Sequence, residues 1–285
     1  PMVFGHETAG EIVEMGKNVS GYQIGDRIAV ETHVPCGHCL QCRIGNPHIC
    51  ENMHVFGVTD PGAFAEYAVV PKSCIVRLDD ALSYEQGAML EAMGAGVHGV
   101  EKAQVKGKTV LVSGCGPIGL MAIGACKVHG AKQIIACDIF DEKLELAKVM
   151  GADIIVNSGK ESVIDVVRQA TDGSGADAAI DITGNGKAIV DGIRALRKAG
   201  IMVSVGLPDG EIPINLTEDI IYREVTYTGI SGRRMFETWE DCMQIIQTPG
   251  FSLEPAIGGV YPLSDFEEAL NKIKSGVPGK MILIP

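Results

Sequence analysis

The sequence predicts an α/β protein with a doubly wound parallel sheet, preceded by a β-rich region. Three observations carry that expectation. From about residue 105, short apolar runs alternate with helical stretches of roughly ten residues. One of those runs, Thr109–Ser113, feeds directly into a G-x-G-x-x-G turn at Gly114–Gly119. Before residue 80 the rhythm is shorter, with Val, Ile and Ala runs set between Gly and Asp turns. Strands that alternate with helices imply βαβ units, because parallel neighbours need a crossover connection.

Taken in order, Gly25–Val30 and Ala63–Val70 read as strands of the leading region. Thr109–Ser113 is a compact apolar strand, Pro117–His129 a helix and Gln133–Asp138 a second strand. Glu142–Met150 reads as an amphipathic helix carrying Leu144, Leu146, Ala147 and Met150. The alternation continues with strand 154–156, helix 161–170, strand 177–182, helix 186–198 and strands 201–205 and 225–229. Beyond Gly232 the pattern gives helix 235–247, a Pro/Gly stretch, helix 264–274 and a last strand near 280–284. That tail is too short for a core of its own and is expected to return to the leading region. The expected organisation is therefore 1–92, 93–232 and 233–285, with no internal repeat or low-complexity segment.

The bulk numbers narrow the function classes. A chain of 285 residues suggests two domains, and 46% hydrophobic with 21% charged residues suits a globular protein. A net charge of −12 argues against a nucleic-acid partner, since a phosphate backbone would be repelled. The longest apolar run, Ile118–Cys126, is far too short to span a bilayer, so no membrane partner is expected. The chain opens at Pro1 and runs at once into Gly5-His6-Glu7, so an N-terminal segment is expected to be missing.

Of nine cysteines, Cys36, Cys39, Cys42 and Cys50 lie within fifteen residues. Their x2, x2, x7 spacing lets one loop wrap a tetrahedral ion with four thiolates at about 2.3 Å. Such a site is closed to water, so its role is structural. An iron–sulfur cluster is the alternative, although no Pro follows the fourth cysteine. Cys74, Cys115, Cys126, Cys137 and Cys242 sit among apolar neighbours and read as small buried hydrophobes.

Gly114, Gly116, Pro117, Ile118 and Gly119 form the strand–turn–helix fingerprint of a dinucleotide site, that is, a Rossmann unit. The first Gly makes the tight turn, the second admits the pyrophosphate and the third lets helix and strand pack closely. The helix N-terminus then faces the phosphates with its partial positive charge. Asp138 ends the next strand, where its carboxylate would accept the ribose hydroxyls of NAD and repel the 2′-phosphate of NADP. Lys143 is expected to flank the same ribose.

Gly5-His6-Glu7-x-x-Gly10, Gly25-Asp26-Arg27-Ile28, the four-cysteine lobe, Gly62-x-Phe64-Ala65-Glu66-Tyr67 and the dinucleotide turn follow in a fixed order. That order resembles the zinc-containing medium-chain dehydrogenases over essentially the whole chain. The resemblance implies a GroES-like catalytic domain over 1–92, a Rossmann NAD domain over 93–232 and a C-terminal return. It implies that His6 and Glu7 are ligands of a catalytic zinc, with a third, Cys ligand supplied by the absent segment. A chain without that Cys is expected to hold catalytic zinc poorly and to be inactive as a fragment. Glu91, in Met89-Leu90-Glu91-Ala92, matches an acid that approaches the zinc or aids proton transfer; the other reading is a helix cap. His33 matches a residue near the active site, or is a plain loop histidine. Val205-Gly206-Leu207 and Ile230-Ser231 match backbone contacts to the nicotinamide. Arg233 and Arg234 either grip a substrate carboxylate or face solvent. His98 and His129 read as structural.

Within the family, Gly229–Trp239 and Thr32-His33-x-x-Cys36-Gly37-His38-Cys39 resemble the threonine-oxidising branch. The resemblance therefore implies NAD-dependent, zinc-assisted oxidation of a small secondary alcohol, L-threonine to 2-amino-3-oxobutanoate, by a cytoplasmic homotetramer. A polyol or diol dehydrogenase, or an inactive NAD-binding fragment, are the alternatives.

Overall fold

The computed structural model describes residues 2–285, and Pro1, on which the expectation of a trimmed start rests, lies outside them. The chain divides into two compact units. The first holds the chain up to Gly94 together with Arg233–Gln244 and Gly259–Pro285; the second holds Ala95–Gly232 and Ile245–Gly258.

In the first unit, β1 (Ala9–Glu11), β2 (Arg27–Val30) and β5 (Ile75–Arg77) form an antiparallel sheet in the order β1-β2-β5. β3 (His33–Val34) pairs with β4 (His54–Val55), and the short helix α1 (Leu40–Arg43) lies in the loop between them. Val30, Phe56 and Cys74 make the local core, with Val34, Ala63 and Val70 packed on it. The expected strand over Ala63–Val70 does not form. The N–H groups of Gly62, Ala63 and Phe64 donate instead to the carbonyls of Val3, Gly5 and Phe4 at 2.8–2.9 Å. Phe64, Tyr67 and Val69 stay exposed, so the alternating pattern there finds no sheet to join.

A helix that the sequence patterning had not outlined, α2 (Tyr84–Ala103), follows. It is apolar all round, with Met89, Leu90, Met93, Val97 and Val100 buried, which is the signature of a helix without a solvent face.

The second unit is a six-stranded, all-parallel sheet of β6 (Thr109–Ser113), β7 (Gln133–Asp138), β8 (Ile154–Asn157), β9 (Ala176–Asp181), β10 (Leu196–Ser204) and β11 (Thr226–Gly229). Its spatial order is β11-β10-β9-β6-β7-β8. Counted from β6 this is the doubly wound 3-2-1-4-5-6 arrangement, with its switch point between β6 and β9. The connections are α3 (Pro117–Val128), α4 (Asp141–Met150), α5 (Val163–Ala170) and α6 (Gly186–Ala195). Ser162 caps α5 through the Asp165 N–H, and Asn185 caps α6 through Lys187 and Ala188. The α6 helix ends three residues earlier than its pattern suggests. Leu196 already pairs with Ala176, and the strand then shifts register before Ile201.

The C-terminal part carries α7 (Glu237–Ile246), β12 (Ile257–Pro262), α8 (Phe266–Lys274) and β13 (Lys280–Ile284), with β12 beside β13. Its return to the first unit is interrupted, contrary to the expected single segment 233–285: residues 245–258 belong to the second unit. Phe251 packs there so tightly that a Cβ on Gly124 of α3 would lie 2.5 Å from its ring, and Leu253 and Ala256 are fully buried. Among the described residues, no helix is long and apolar enough to cross a membrane.

Candidate active site

The four-cysteine lobe brings its sulfurs together. Cys39 Sγ lies 3.5 Å from Cys42 Sγ and 3.8 Å from Cys50 Sγ, and all four lie within 4.8 Å of one another. A single ion with sulfurs at about 2.3 Å in a tetrahedron needs neighbouring sulfurs about 3.8 Å apart. An iron–sulfur cluster, with iron and sulfide placed among the cysteines, would hold them farther apart. Backbone N–H groups of His38 and Cys39 draw the Cys36 thiol down to about 6, and those of Cys42 and Glu51 lower Cys39. Cys42, desolvated and beside its neighbours' sulfurs, is pushed up to about 12. The lobe therefore keeps a proton that a divalent cation would displace.

A second cluster joins His6, Glu7 and Glu91, whose donor atoms also lie within 4.8 Å of one another. His6 and Glu7 lie just ahead of β1, while Glu91 projects from the middle of α2. That position rules out the helix-cap reading of Glu91. His6 Nε2 is 4.0 Å from Glu91 Oε1. One imidazole and two carboxylates from separated segments suit a zinc ion, which accepts N and O donors at about 2.0–2.2 Å. Each carboxylate already faces a cation: Glu7 pairs with Lys280, and Glu91 accepts from Arg233 Nη1 at 2.6 Å.

Arg233 corrects both readings made of it. It neither faces solvent nor lies open to a substrate carboxylate, being only 2% exposed. Its Nη2 donates to Glu31 Oε1 at 2.6 Å and to Thr32 Oγ1 at 2.7 Å. Gly94 on α2 makes the room, since a Cβ there would lie 2.7 Å from Arg233 Cδ. Glu31 is fully buried and also accepts from Trp239 Nε1 at 2.6 Å and from the His33 backbone N–H at 2.8 Å. The His33 ring adds a contact from Nδ1 to Glu31 Oε1 at 2.7 Å, so His33 is tied into this network and is no free loop residue. Burial raises the Glu31 pKa, but the His33 hydrogen bond and the Arg233 charge outweigh it and hold it at about 2. Arg234 pairs with Glu237 on the surface of the same segment.

In the second unit the turn expected to receive a pyrophosphate is tight and leaves open space at Gly116. Gly114 adopts φ +97°, a Cβ on Gly119 would fall 1.8 Å from the Gly114 carbonyl, and Gly116 borders open space. Pro117 and Ile118 open α3, whose N-cap Gly116 offers no side chain to its N–H groups. Asp138 reaches back to the turn, accepting the Cys115 N–H at 2.8 Å, and it also accepts from Ile139 and Phe140. Lys143 lies over the Phe140 ring at 4.7 Å. Val205 and Gly206 donate their N–H groups to the Asp181 carbonyl, leaving Leu207 exposed beyond them. Ile230 donates to Ser204, and Ser231 is exposed.

Comparison with known proteins decides the family. The zinc-binding dehydrogenase family matches residues 117–248, and the alcohol dehydrogenase GroES-like domain matches residues 1–80. The chain is 40% identical over 286 residues to the L-threonine 3-dehydrogenase of Caldanaerobacter subterraneus subsp. tengcongensis, covering 100% of this chain and 82% of that one. This chain belongs to the zinc-binding medium-chain alcohol dehydrogenases. The L-threonine 3-dehydrogenase of Bacillus subtilis is 39% identical over 285 residues, with the same coverage. Among solved structures, 2R,3R-butanediol dehydrogenase from Bacillus subtilis superposes with a TM-score of 0.91 at 32% identity, covering 100% of this chain and 81% of that one.

As in its family, the four-cysteine lobe of this alcohol dehydrogenase is a structural zinc site, and the parallel sheet is of the type that takes NAD(P). Sequence reasoning missed Glu31 and gave Thr32 and Trp239 no role of their own, because their partners lie up to 208 residues away. The one signal available was a Glu and a Thr ahead of His33 in a stretch otherwise reading as strand. Cys74, Cys115, Cys126, Cys137 and Cys242 are all buried, which leaves them as packing residues.

Proposed function

We propose that this dehydrogenase oxidises L-threonine to 2-amino-3-oxobutanoate with NAD as hydride acceptor and zinc held by His6, Glu7 and, in exchange with Arg233, Glu91. The observation that supports the substrate assignment is the likeness, near 40% identity over the whole of this chain and 82% of each relative, to two L-threonine 3-dehydrogenases. Zinc held by these residues would supply Lewis acidity that favours loss of the alcohol proton at neutral pH, and NAD would serve as the hydride acceptor. The chain's own part is to place the groups. His6 and Glu7 offer one neutral and one anionic donor. Arg233 holds Glu91 by one oxygen close to His6. The His33 imidazole, fastened to Glu31, offers a proton acceptor within the same unit.

In the cofactor-binding unit, Gly114, Gly116, Pro117, Ile118 and Gly119 cradle the pyrophosphate. Asp138 and Lys143 border the adenosine ribose, and Val205, Gly206, Leu207, Ile230 and Ser231 border the nicotinamide end. The choice of NAD over NADP rests on Asp138: a 2′-phosphate beside its carboxylate would cost on the order of several kcal/mol. A diol reading has its own support in the 32% identity to a butanediol dehydrogenase.

The test is NADH formation by the natural full-length protein, loaded with zinc, with L-threonine run beside 2,3-butanediol and sorbitol. A clear preference in kcat/KM for L-threonine is expected. Turnover with the diols alone would keep the zinc and NAD chemistry and discard the substrate.

A further inference from the structure

We propose that Glu31 is the positioning residue of the His6–Glu7–Glu91 site, one buried carboxylate that fixes both the tautomer of His33 and the place of Arg233 against Glu91. The inference rests on the reading of that cluster as the catalytic metal site.

The carboxylate has no exposure, so each of its contacts is enforced by packing. Oε1 receives the His33 backbone N–H, the His33 ring Nδ1 and Arg233 Nη2, at 2.6–2.8 Å, while Oε2 receives the Trp239 indole N–H at 2.6 Å. An ionised carboxylate can only accept. His33 Nδ1 must therefore carry a hydrogen, and in the neutral ring Nε2 is then the acceptor. The same Oε1 also fixes Arg233. Its Nη2 is held by Glu31 and Thr32, so Nη1 is directed to Glu91 Oε1 at 2.6 Å. Arg233 Cζ also lies 5.5 Å from the centre of the Trp239 ring, closing the arrangement from its other side.

The charge balance explains why the acid is needed. Without Glu31, Arg233 would neutralise Glu91 alone, and Glu91 would be a poorer neighbour for a divalent cation beside His6. With Glu31 present, two carboxylates share one guanidinium, and the pair retains net negative charge next to the metal ligands. Arg233 touches the proposed ligand Glu91 directly, and direct partners of a ligand commonly change metal affinity by about 10- to 100-fold; Glu31 acts through Arg233.

The test reads the tautomer directly. The chain has seven histidines and one tryptophan, so ¹⁵N-labelled protein gives a small set of ring signals. His33 is assigned by its loss in His33→Asn, and Trp239 by its single indole N–H. In the native protein His33 is expected as the neutral Nδ1–H form. In Glu31→Gln that form gives way to a mixture and the Trp239 indole signal moves. Zinc titrated into the same variant, with the four-cysteine lobe already filled, is expected to bind the second site at least tenfold more weakly. Finding His33 in the Nε2–H form in the native protein overturns the proposal. So does a Glu31→Gln protein with lowered Tm but unchanged His33 signals and zinc affinity, which marks a purely structural residue. If Glu31→Gln fails to fold, the native tautomer decides alone. A native Nδ1–H signal together with weakened second-site zinc binding in Glu31→Gln, in a protein that oxidises none of the tested alcohols, would sink the assigned substrate and leave the positioning role of Glu31 at the metal site standing.

Discussion

Trp239, the only tryptophan in the chain, donates its indole N–H to Glu31 Oε2 at 2.6 Å, 208 residues away in sequence. That bond ties α7 to the stretch between β2 and β3, and Arg233 joins Glu91 on α2 to the same acid. The network is charged, buried and built from three separate segments, which makes it sensitive to single substitutions.

Replacing Arg233 with Met would leave two carboxylates, one wholly and one mostly buried, without their shared cation. Removal of one partner from such a pair costs about 3–5 kcal/mol. A clear drop in Tm is expected by calorimetry, larger than for Arg234→Met, whose ion pair lies on the surface. Equal Tm values for the two variants would show that the Arg233 contacts do not stabilise the fold.

Stability should also depend on Glu31 in acid. Its folded pKa, about 2, lies below the ordinary 4.5, because hydrogen bonding by His33 and the Arg233 charge outweigh burial. The contribution, about 3 kcal/mol, is therefore complete above pH 4.5 and is lost as pH falls toward 2. Urea unfolding of the native protein and of Glu31→Gln should give a stability gap that is wide near neutrality and narrows through this window. A gap independent of pH would contradict the assigned ionisation.

How much of this was legible in the sequence follows from how local each signal is. The zinc lobe draws its ligands from fifteen consecutive residues, and the dinucleotide turn from six, so spacing alone reveals them. The parallel sheet was visible because β6 to β9 are short, largely apolar and each followed by a helix. The α2 helix was hidden by Gly87, Gly94, Gly96 and Gly99 and by its lack of a polar face. The Glu31–Arg233–Glu91 network leaves no periodic trace, since its members are paired only in three dimensions. For the same reason Arg233 read as a surface or substrate residue. The stretch over Ala63–Val70 alternated like a strand, but alternation does not provide the neighbouring strand that a ladder needs.

Cofactor choice is expected to follow Asp138. In Asp138→Ser the ribose loses a carboxylate and the 2′-phosphate of NADP loses a like charge. The ratio of kcat/KM for NAD over NADP should fall by roughly 10²-fold or more. The turn itself would loosen, since Asp138 accepts the Cys115 N–H. An unchanged ratio would move the discrimination to another residue.

The structural zinc makes a separate prediction. Cys39→Ser, or prolonged treatment with a chelator, should open the lobe over 36–50 to limited proteolysis and lower Tm, because metal binding energy there is folding energy. Resistance of that loop to cleavage after metal removal would show that backbone hydrogen bonds hold it without the ion.

The measurement closest to the central claim is L-threonine-dependent NADH formation by the natural full-length protein and by His6→Ala, each with its zinc content determined. Loss of the imidazole removes a ligand of the proposed catalytic metal and leaves the four-cysteine lobe untouched. The account predicts that kcat falls by about a thousandfold or more, with zinc lost from the second site and kept in the lobe. Turnover at the native rate by His6→Ala would contradict it.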